Sequence, residues 1–195
     1  MAINLREFRT CLGQFATGVT VVSCRIGGAI HGATVNAFMA VSLEPPLIAV
    51  SLDRRSKVCT HLQDRPFTVT VLSNEAHDAA LHFSGRPQPE VVVEWVDGTT
   101  APALFGGIAT FTCIAWATYE GGDHLLHLGE VQEIGQTPGD SPLLFYAGKF
   151  RDIGAHVAGS PRLVTLDSPE SGVTWRTPRL RAPRRGATVP STKEA

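Results

Sequence analysis

The chain has 195 residues, of which 43% are hydrophobic, and this composition fits one globular domain with a substantial core. Its net charge of −1 gives no indication of a nucleic-acid-binding or membrane-binding protein, and no apolar run is long enough to predict a transmembrane helix. The first residues, MAINLREFRT, lack the basic and apolar regions of a signal peptide. The four cysteines form no CxxC pair, so we expect reduced, mostly buried thiols in a cytoplasmic protein.

The first predicted element is an amphipathic helix within residues 4–17. Asn4 is its expected N-cap, and Gly18 its expected end. Apolar residues recur along it at spacings of three and four, which predicts one apolar stripe: Leu5, Phe8, Leu12 and Phe15.

Strands dominate the rest of the chain. β-branched and alternating segments predict them at 19–25, about 30–42, 47–53, 66–72, 107–120 and 124–135, with a last short strand and turn at 142–150. Gly27-Gly28 and the 121–123 segment are predicted hairpin turns. Long hairpins with few helices favour an antiparallel barrel over a βαβ sheet, so the expected fold class is mainly β.

Two short helices and a long loop are predicted between these strands. Ser56 is the expected N-cap of a helix over residues 56–64, and Asn74 that of a helix over about 75–84. Residues 85–107 are rich in Gly, Pro and Asp and are predicted to form a long surface loop.

The C-terminal part of the chain differs in composition. Residues 1–159 carry a net charge of −5, whereas residues 160–195 carry +4 and contain recurrent Pro and Arg without apolar periodicity. We therefore predict a domain over residues 1–157 and a disordered basic tail over 158–195. The tail is interpreted as a dispensable extension, and the alternative is docking to an acidic partner or covering a flavin site.

Several common catalytic and nucleotide-binding motifs are absent from the sequence. There is no GxGxxG between a strand and a helix, no P-loop, and no GxSxG elbow. His124 and His127 lie close in sequence, but side chains three apart on a strand point to opposite faces, so this pair is a poor metal site. No metal is expected.

The segment HGATVNAFMAVSLEPPLIAVSLDRRS, residues 31–56, carries the most chemistry. Alternation predicts that Thr34, Asn36 and Phe38 share one strand face, with hydroxyl and amide groups available for hydrogen bonds. Arg54 and Arg55 precede the predicted helix start at Ser56, an arrangement typical of a phosphate site. A simple N-cap, a solvated strand face and ordinary surface charge are the alternatives.

Five segments in the same order resemble the short-chain flavin reductases, the FMN-binding split-barrel class that serves as reductase component of two-component monooxygenases. They are FRTCLGQFATGVTVVS (8–23), residues 31–56, FTVTVL (67–72), GGDHLLHLGEVQEI (121–134) and PLLFYAGKFRDI (142–153). Single motifs among them are weak, whereas TVNAF, the EPPL turn, D-R-x-S and GDHxxxxGEV together are specific.

The resemblance implies roles for the matched positions. Thr34, Val35, Asn36 and Ala37 would line the flavin ribityl chain and ring. Ser51, Leu52 and Asp53 would follow the ring edge, and Arg55, Ser56 and Lys57 would hold the phosphate. Phe83 would lie near the flavin or nicotinamide, and His124, the one expected catalytic residue, near both rings. Tyr146, Lys149 and Phe150 would complete the pocket, in some cases across a dimer interface.

The implied activity is an NAD(P)H-dependent flavin reductase, with FMN or FAD as flavin and NADH or NADPH as hydride donor. It would act as a homodimer and supply reduced flavin to a separate flavin-dependent monooxygenase, with neither nucleic acid nor membrane as partner. Two alternatives stay open: a flavin-dependent oxidoreductase that acts directly on a small organic substrate, and a non-enzymatic flavin-binding module.

Overall fold

The computed structural model describes residues 3–138 and 140–155 of the chain. The helices are α1 (Leu5–Leu12) and α2 (His77–Phe83), with 3₁₀ segments at Cys59–His61 and Asn74–Ala76. The strands are β1 (Thr17–Gly18), β2 (Thr20–Ile26), β3 (Ala29–Val35), β4 (Phe38–Leu43), β5 (Pro46–Asp53), β6 (Phe67–Leu72), β7 (Trp95–Val96), β8 (Ala103–Leu104), β9 (Gly107–Gly121), β10 (His124–Gln136), β11 (Leu144–Tyr146) and β12 (Lys149–Arg151). The predicted tail, 158–195, lies outside the described residues, and the predicted domain boundary stays a prediction.

The main sheet has seven antiparallel strands in the order β3-β2-β6-β9-β10-β5-β4. Its two edge strands, β3 and β4, are consecutive in the chain, so the sheet curls until its edges approach each other. The Ser51 amide donates a hydrogen bond to the Ala37 carbonyl at 3.0 Å beside this gap. The sheet stays open there, which confirms the predicted mainly β, split-barrel architecture.

Two apolar clusters cover the two faces of the sheet. Along β2, Val22 belongs to the cluster inside the barrel, whereas Val21 belongs to the cluster under α2. This division follows directly from the two-residue period of a strand. The tight Gly27-Gly28 turn joins β2 to β3 with positive φ at both glycines, as the sequence predicts.

The strand predicted over residues 30–42 is wrong as one element, because it breaks at Asn36 and Ala37 into β3 and β4. The chain leaves one edge of the sheet there and enters the other. The predicted common face of Thr34 and Phe38 is therefore also wrong. Thr34 faces α2, whereas Phe38 packs into the barrel against Phe111, with 5.6 Å between ring centroids.

The helix predicted over residues 56–64 is also wrong. The segment forms successive turns that include one 3₁₀ segment, and Ser56 does not cap a helix. Its apolar residues Val58, Cys59 and Leu62 are pulled into the barrel, and Pro66 follows closely, so too little chain remains for an α-helix. The second predicted helix is present as α2, preceded by the Asn74–Ala76 3₁₀ segment. The predicted cap is wrong, because Ser73 is at the cap position of the 3₁₀ segment and Ala76 at that of α2.

The predicted loop over residues 85–107 is partly structured. It contains the β7–β8 pair, and Ala101 and Leu104 are buried. The Ser23 hydroxyl donates a 2.6 Å hydrogen bond to the Pro102 carbonyl, which fixes the loop to the barrel.

Helix α1 is shorter than predicted. The Asn4 side chain accepts a 2.9 Å hydrogen bond from the Arg6 amide, which confirms the predicted N-cap, but the helix ends at Leu12. The predicted apolar stripe is exposed, with Phe15 at 77% accessibility. Of the cysteines, Cys11 is exposed and the other three are buried free thiols, as expected for most of them. Within the described residues, no helix is long and apolar enough to cross a membrane.

Candidate functional site

A cleft of about 920 Å³ lies at the open seam of the barrel, between β3 and β5. Its walls come from β3, the link to β4, the end of β5, the turn that follows β5, and the end of α2. Most of the predicted site residues meet there: Thr34, Val35, Asn36, Ala37, Ser51, Leu52, Asp53, Arg55, Ser56, Lys57, Phe83 and His124. Residues from four separate stretches of the sequence are thus brought to one place.

The cleft exposes backbone hydrogen-bonding groups as well as side chains. Strand β3 is an edge strand, and its outer side has no strand partner among the described residues. Strand β4 pairs with β5 only as far as Val50, so the outer side of residues 51–53 is not covered by β4. Two strand edges therefore border one gap, and their amides and carbonyls suit a flat ring system that carries both donors and acceptors along its edge.

Thr34 and Phe83 connect β3 to α2 on one wall of the cleft. The Thr34 hydroxyl donates a 2.7 Å hydrogen bond to the Ala80 carbonyl. The Phe83 ring lies over Gly32, where an added Cβ would be 2.8 Å from the ring, and also packs against Trp95. Only glycine allows this close approach. The Thr34 hydroxyl proton is used in the bond to Ala80, so the hydroxyl oxygen can only accept a hydrogen bond from a ligand.

Residues 54–58, hereafter the 54–58 turn, form the charged end of the cleft. The Asp53 carboxylate accepts hydrogen bonds from the Arg55 backbone amide at 2.8 Å and from its guanidinium at 2.6–3.2 Å. These bonds hold the pKa of Asp53 well below its usual value and raise that of Arg55. The pair neutralises itself, so Arg55 alone adds little positive charge to the cleft.

Ser56 and Lys57 are less committed than Arg55. Within the described part of the chain, neither the Ser56 hydroxyl nor the Lys57 ammonium makes a hydrogen bond or an ion pair. Arg54 points away and binds the Gly122 carbonyl at 2.9 Å and the Glu120 carboxylate. The 54–58 turn therefore offers one free hydroxyl and one free ammonium to an anionic group, in place of the predicted helix N-terminus.

His124 is the first residue of β10, directly after the turn of the β9–β10 hairpin, and it lines the cleft. Its Nδ1 is 2.7 Å from the Asp123 carboxylate, and this hydrogen bond lowers the pKa of Asp123. Because Asp123 occupies Nδ1, Nε2 is the ring nitrogen left for a ligand. His127 points to the opposite face and is buried, as the strand period predicts.

Tyr146 and Phe150 are not brought to this cleft within one chain. The Tyr146 hydroxyl donates to the Gln14 side chain at 3.1 Å, beside α1. Phe150 packs between Phe145 and His77 in the cluster under α2. Their assignment to the flavin site stays a prediction that needs a second copy of the chain.

Eight residues that line the cleft are not predicted from the sequence: His31, Gly32, Ala33, Val58, His82, Ser84, Gly85 and Pro87. Residues 31–33 lie within the matched segment 31–56 and on the same strand as Thr34, so the resemblance could have pointed to them. The residues after α2 could not, because no motif marks the turn in which the Gln88 amide donates to His82 Nδ1 at 3.2 Å.

An apolar groove of about 900 Å³ adjoins the cleft. Asn36, Ala37 and Ser51 line both, so the two share one wall. The remainder of the groove is mostly apolar and includes Leu12, Phe15, Phe38, Met39 and Leu126. An exposed apolar surface of this extent is typical of a protein interface.

Comparison with known proteins identifies the family of this chain. The flavin reductase-like domain matches residues 12–154. An NADH-dependent flavin reductase from a Rhodococcus species is 36% identical over 151 residues, which cover 75% of this chain and 85% of the relative. The reductase component of 4-hydroxyphenylacetate 3-monooxygenase from Thermus thermophilus is 36% identical over 145 residues, which cover 74% and 93%.

A solved structure agrees with these matches. The flavin reductase PheA2 in its native state superimposes with a TM-score of 0.75 at 35% sequence identity. The match covers 78% of this chain and all of PheA2. The family match over residues 12–154 includes every residue that lines the cleft.

Proposed function

The chain belongs to the flavin reductase-like domain family, and on that premise we propose that it is an NADH-dependent flavin reductase. It transfers a hydride from NADH to FMN or FAD and supplies the reduced flavin to a separate flavin-dependent monooxygenase. The single observation that carries this proposal is the cleft at the barrel seam, where His124 and the matched segments of β3, β5 and the 54–58 turn converge.

The flavin ring system fits between the two strand edges. Backbone groups of residues 33–37 and 51–53 would face the ring edge and the ribityl chain. The Asn36 side chain adds an acceptor oxygen, because its amide nitrogen already donates to the Thr17 hydroxyl at 3.3 Å. A volume of about 920 Å³ leaves space beside the flavin for the nicotinamide. Donors aimed at the ring edge stabilise the charge that develops on reduction.

The flavin phosphate is assigned to the 54–58 turn. Ser56 provides a hydroxyl donor and Lys57 a mobile cation, and both are uncommitted among the described residues. Arg55 shares its charge with Asp53 and serves mainly to hold the turn. Riboflavin, which lacks the phosphate, should therefore bind more weakly than FMN.

The chain itself acts by orientation. NADH supplies a hydride from nicotinamide C4, and the flavin accepts it at N5. The protein stacks the two rings in a reactive geometry, which replaces an encounter in solution. His124, held by Asp123, presents Nε2 toward the ligands, and Phe83 forms the opposite apolar wall.

A second copy of the chain is the proposed cover of the apolar groove. Leu12 at the end of α1 and Phe15 just after it are both exposed, and both line the groove together with the link between β3 and β4. A homodimer would bury this surface and would bring residues of the partner close to the wall shared with the cleft. Tyr146 and Phe150 enter the proposed site only through such an assembly. We place the protein in the cytoplasm, where NADH is available.

The proposed function is tested by NADH oxidation, followed through the absorbance of the reduced nicotinamide. The reaction is measured with and without added FMN, FAD and riboflavin, and with NADPH as alternative donor. Turnover that rises with added FMN or FAD is the expected result. Flavin binding without NADH oxidation would contradict the reductase assignment and favour an enzyme with its own organic substrate.

A further inference from the structure

Beneath the cleft, three polar side chains from three elements meet inside an otherwise apolar barrel. Cys59 Sγ lies 3.6 Å from His127 Nε2, and the Thr118 hydroxyl lies 3.1 Å from His127 Nδ1. Cys59 follows the 54–58 turn, whereas His127 lies on β10 and Thr118 on β9. Cys59 and His127 are 0% and 1% exposed. No step of the proposed reaction uses any of them.

We propose that His127 is a positioning residue for the flavin phosphate, because it holds the 54–58 turn in place through Cys59. This inference rests on the proposed function and adds residues that act behind the phosphate-binding turn. Neither His127 nor Cys59 touches the flavin.

The hydrogen bonds define how the protons are arranged. The Cys59 thiol donates its single proton to the Leu52 carbonyl at 3.5 Å. Its sulfur can then only accept from His127, so Nε2 carries the ring proton and Nδ1 accepts from the Thr118 hydroxyl. Burial raises the pKa of Cys59 and lowers that of His127, which keeps both groups neutral in this arrangement.

The core does not need a histidine at this position. The neighbours of His127 on the same face include Leu125 and Val50, and an apolar side chain would pack among them. A buried imidazole is costly unless its nitrogens are hydrogen-bonded, and here both are. Fully bonded buried polar groups fix one arrangement of the elements that they join. The element fixed here is the chain that follows β5.

Cys59 is well placed to set the position of the turn. At its start, the turn is held by Asp53, whose carbonyl accepts from the Ser56 amide at 2.9 Å. At its end, the Cys59 amide donates to the Ser56 carbonyl at 3.1 Å. The Cys59 side chain thus ties the end of the turn to Leu52 and His127, while Ser56 and Lys57 between the two ties face the cleft.

This arrangement has a specific consequence for ligand choice. Loss of the tie should let Ser56 and Lys57 move relative to the ring-binding edge of β5. The affinity for FMN should fall. The affinity for riboflavin should stay the same, because riboflavin has no phosphate to contact the 54–58 turn. A general loss of fold stability would weaken both ligands alike.

The experiment compares FMN and riboflavin dissociation constants, measured by quenching of flavin fluorescence, for the full chain and three variants. His127→Leu removes both hydrogen bonds, and His127→Gln keeps a donor near the Nε2 position. Thr112→Val is the matched control, because Thr112 is a buried strand residue whose hydroxyl bonds Thr68 elsewhere in the barrel. Cys59→Ala tests the same tie from its other end.

We expect His127→Leu and Cys59→Ala to weaken FMN by about tenfold, the effect of one lost charge-assisted hydrogen bond, while riboflavin changes by less than about twofold. His127→Gln should recover most of the FMN affinity, and Thr112→Val should leave the FMN-to-riboflavin ratio unchanged. In turnover, the KM for FMN should rise while kcat at saturating FMN stays near that of the unmodified protein.

Two results would overturn the inference, and they differ in what else they remove. If the unmodified protein prefers FMN and both His127→Leu and Cys59→Ala leave that preference intact, the positioning role is wrong and the proposed function stands. If the unmodified protein binds FMN no better than riboflavin, the phosphate assignment of the 54–58 turn falls, and the positioning role falls with it.

Discussion

The cleft and the apolar groove share the wall formed by Asn36, Ala37 and Ser51, yet they differ in character. The cleft combines two strand edges with the Ser56 hydroxyl and the Lys57 ammonium, which have no partner among the described residues. The groove is lined mostly by apolar side chains. Because the link crosses from one edge of the sheet to the other, it borders the ligand cleft on one side and the apolar groove on the other. Changes in the cleft should therefore leave the dimer intact, whereas changes in the groove should act first on dimerisation.

The largest expected effect is on the groove side. Phe15→Glu places a charge on the exposed apolar stripe and should weaken dimerisation by about thirtyfold or more, the effect of losing an aromatic anchor of an interface. Light scattering after gel filtration measures the mass. Phe105→Glu is the control, since Phe105 is also exposed but lies outside the groove lining. An unchanged mass for Phe15→Glu would remove α1 from the interface.

Gly32→Ala acts on the wall of the cleft opposite the groove. The new Cβ would lie 2.8 Å from the Phe83 ring, so the ring and the end of α2 must shift. Overpacking of this kind costs about 1–3 kcal/mol in the free energy of unfolding, measured by urea denaturation. We expect weaker flavin binding with an unchanged dimer. Gly18→Ala is the control, because within residues 3–138 and 140–155 no heavy atom beyond its chain neighbours lies within 4 Å of the added Cβ. Equal stabilities of the two variants would contradict the close packing at Gly32.

Lys57→Ala tests the phosphate contact proposed for the cleft. It removes the uncommitted ammonium from the 54–58 turn and should weaken FMN by about tenfold, with riboflavin and the dimer unaffected. Arg65→Ala is the control, since it removes one exposed positive charge that does not line the cleft. A similar loss of FMN affinity in both variants would indicate a general electrostatic effect instead of a local phosphate contact.

The smallest expected effect concerns pH. Burial lowers the pKa of His127 in the folded protein below its usual value of 6.5, so the unfolded chain takes up this proton first as the pH falls. The free energy of unfolding should therefore decrease as the pH drops below about 6.5. Cys59, the titratable group facing His127, stays neutral in this range because burial raises its pKa. His127→Gln should flatten this part of the profile, measured by thermal or urea unfolding; an unchanged slope would assign the effect to other groups.

The strands of the barrel and much of the cleft can be predicted from the sequence. The β9–β10 hairpin has strong alternation over most of its length, with a turn at Gly122, and the structure has strands at both predicted positions. The order of the matched segments then brings the residues of β3, β5 and the hairpin to one cleft, where the structure places them. The strands and the turn can be predicted because they depend on the alternation of apolar and polar residues within one strand and on glycine at the turn.

Other features depend on contacts that the local sequence does not contain. The segment after Ser56 has the length and cap of a helix, but burial of Val58, Cys59 and Leu62 in the barrel prevails over that tendency. His127 shows nothing in sequence that separates it from an ordinary core histidine, because its partners Cys59 and Thr118 come from distant segments. The break at Asn36 follows from closure of the sheet and not from the residue itself.

The most direct test of the cleft as a site of hydride transfer is an anaerobic single turnover. Protein, FMN and NADH are mixed in equal amounts, and the loss of oxidised-flavin absorbance is followed in time, with free FMN and NADH as the reference. We expect the protein to accelerate reduction greatly. When the FMN concentration is varied, Lys57→Ala should slow reduction at limiting FMN but not at saturating FMN. Bound FMN that NADH reduces no faster than free FMN would contradict hydride transfer in the cleft.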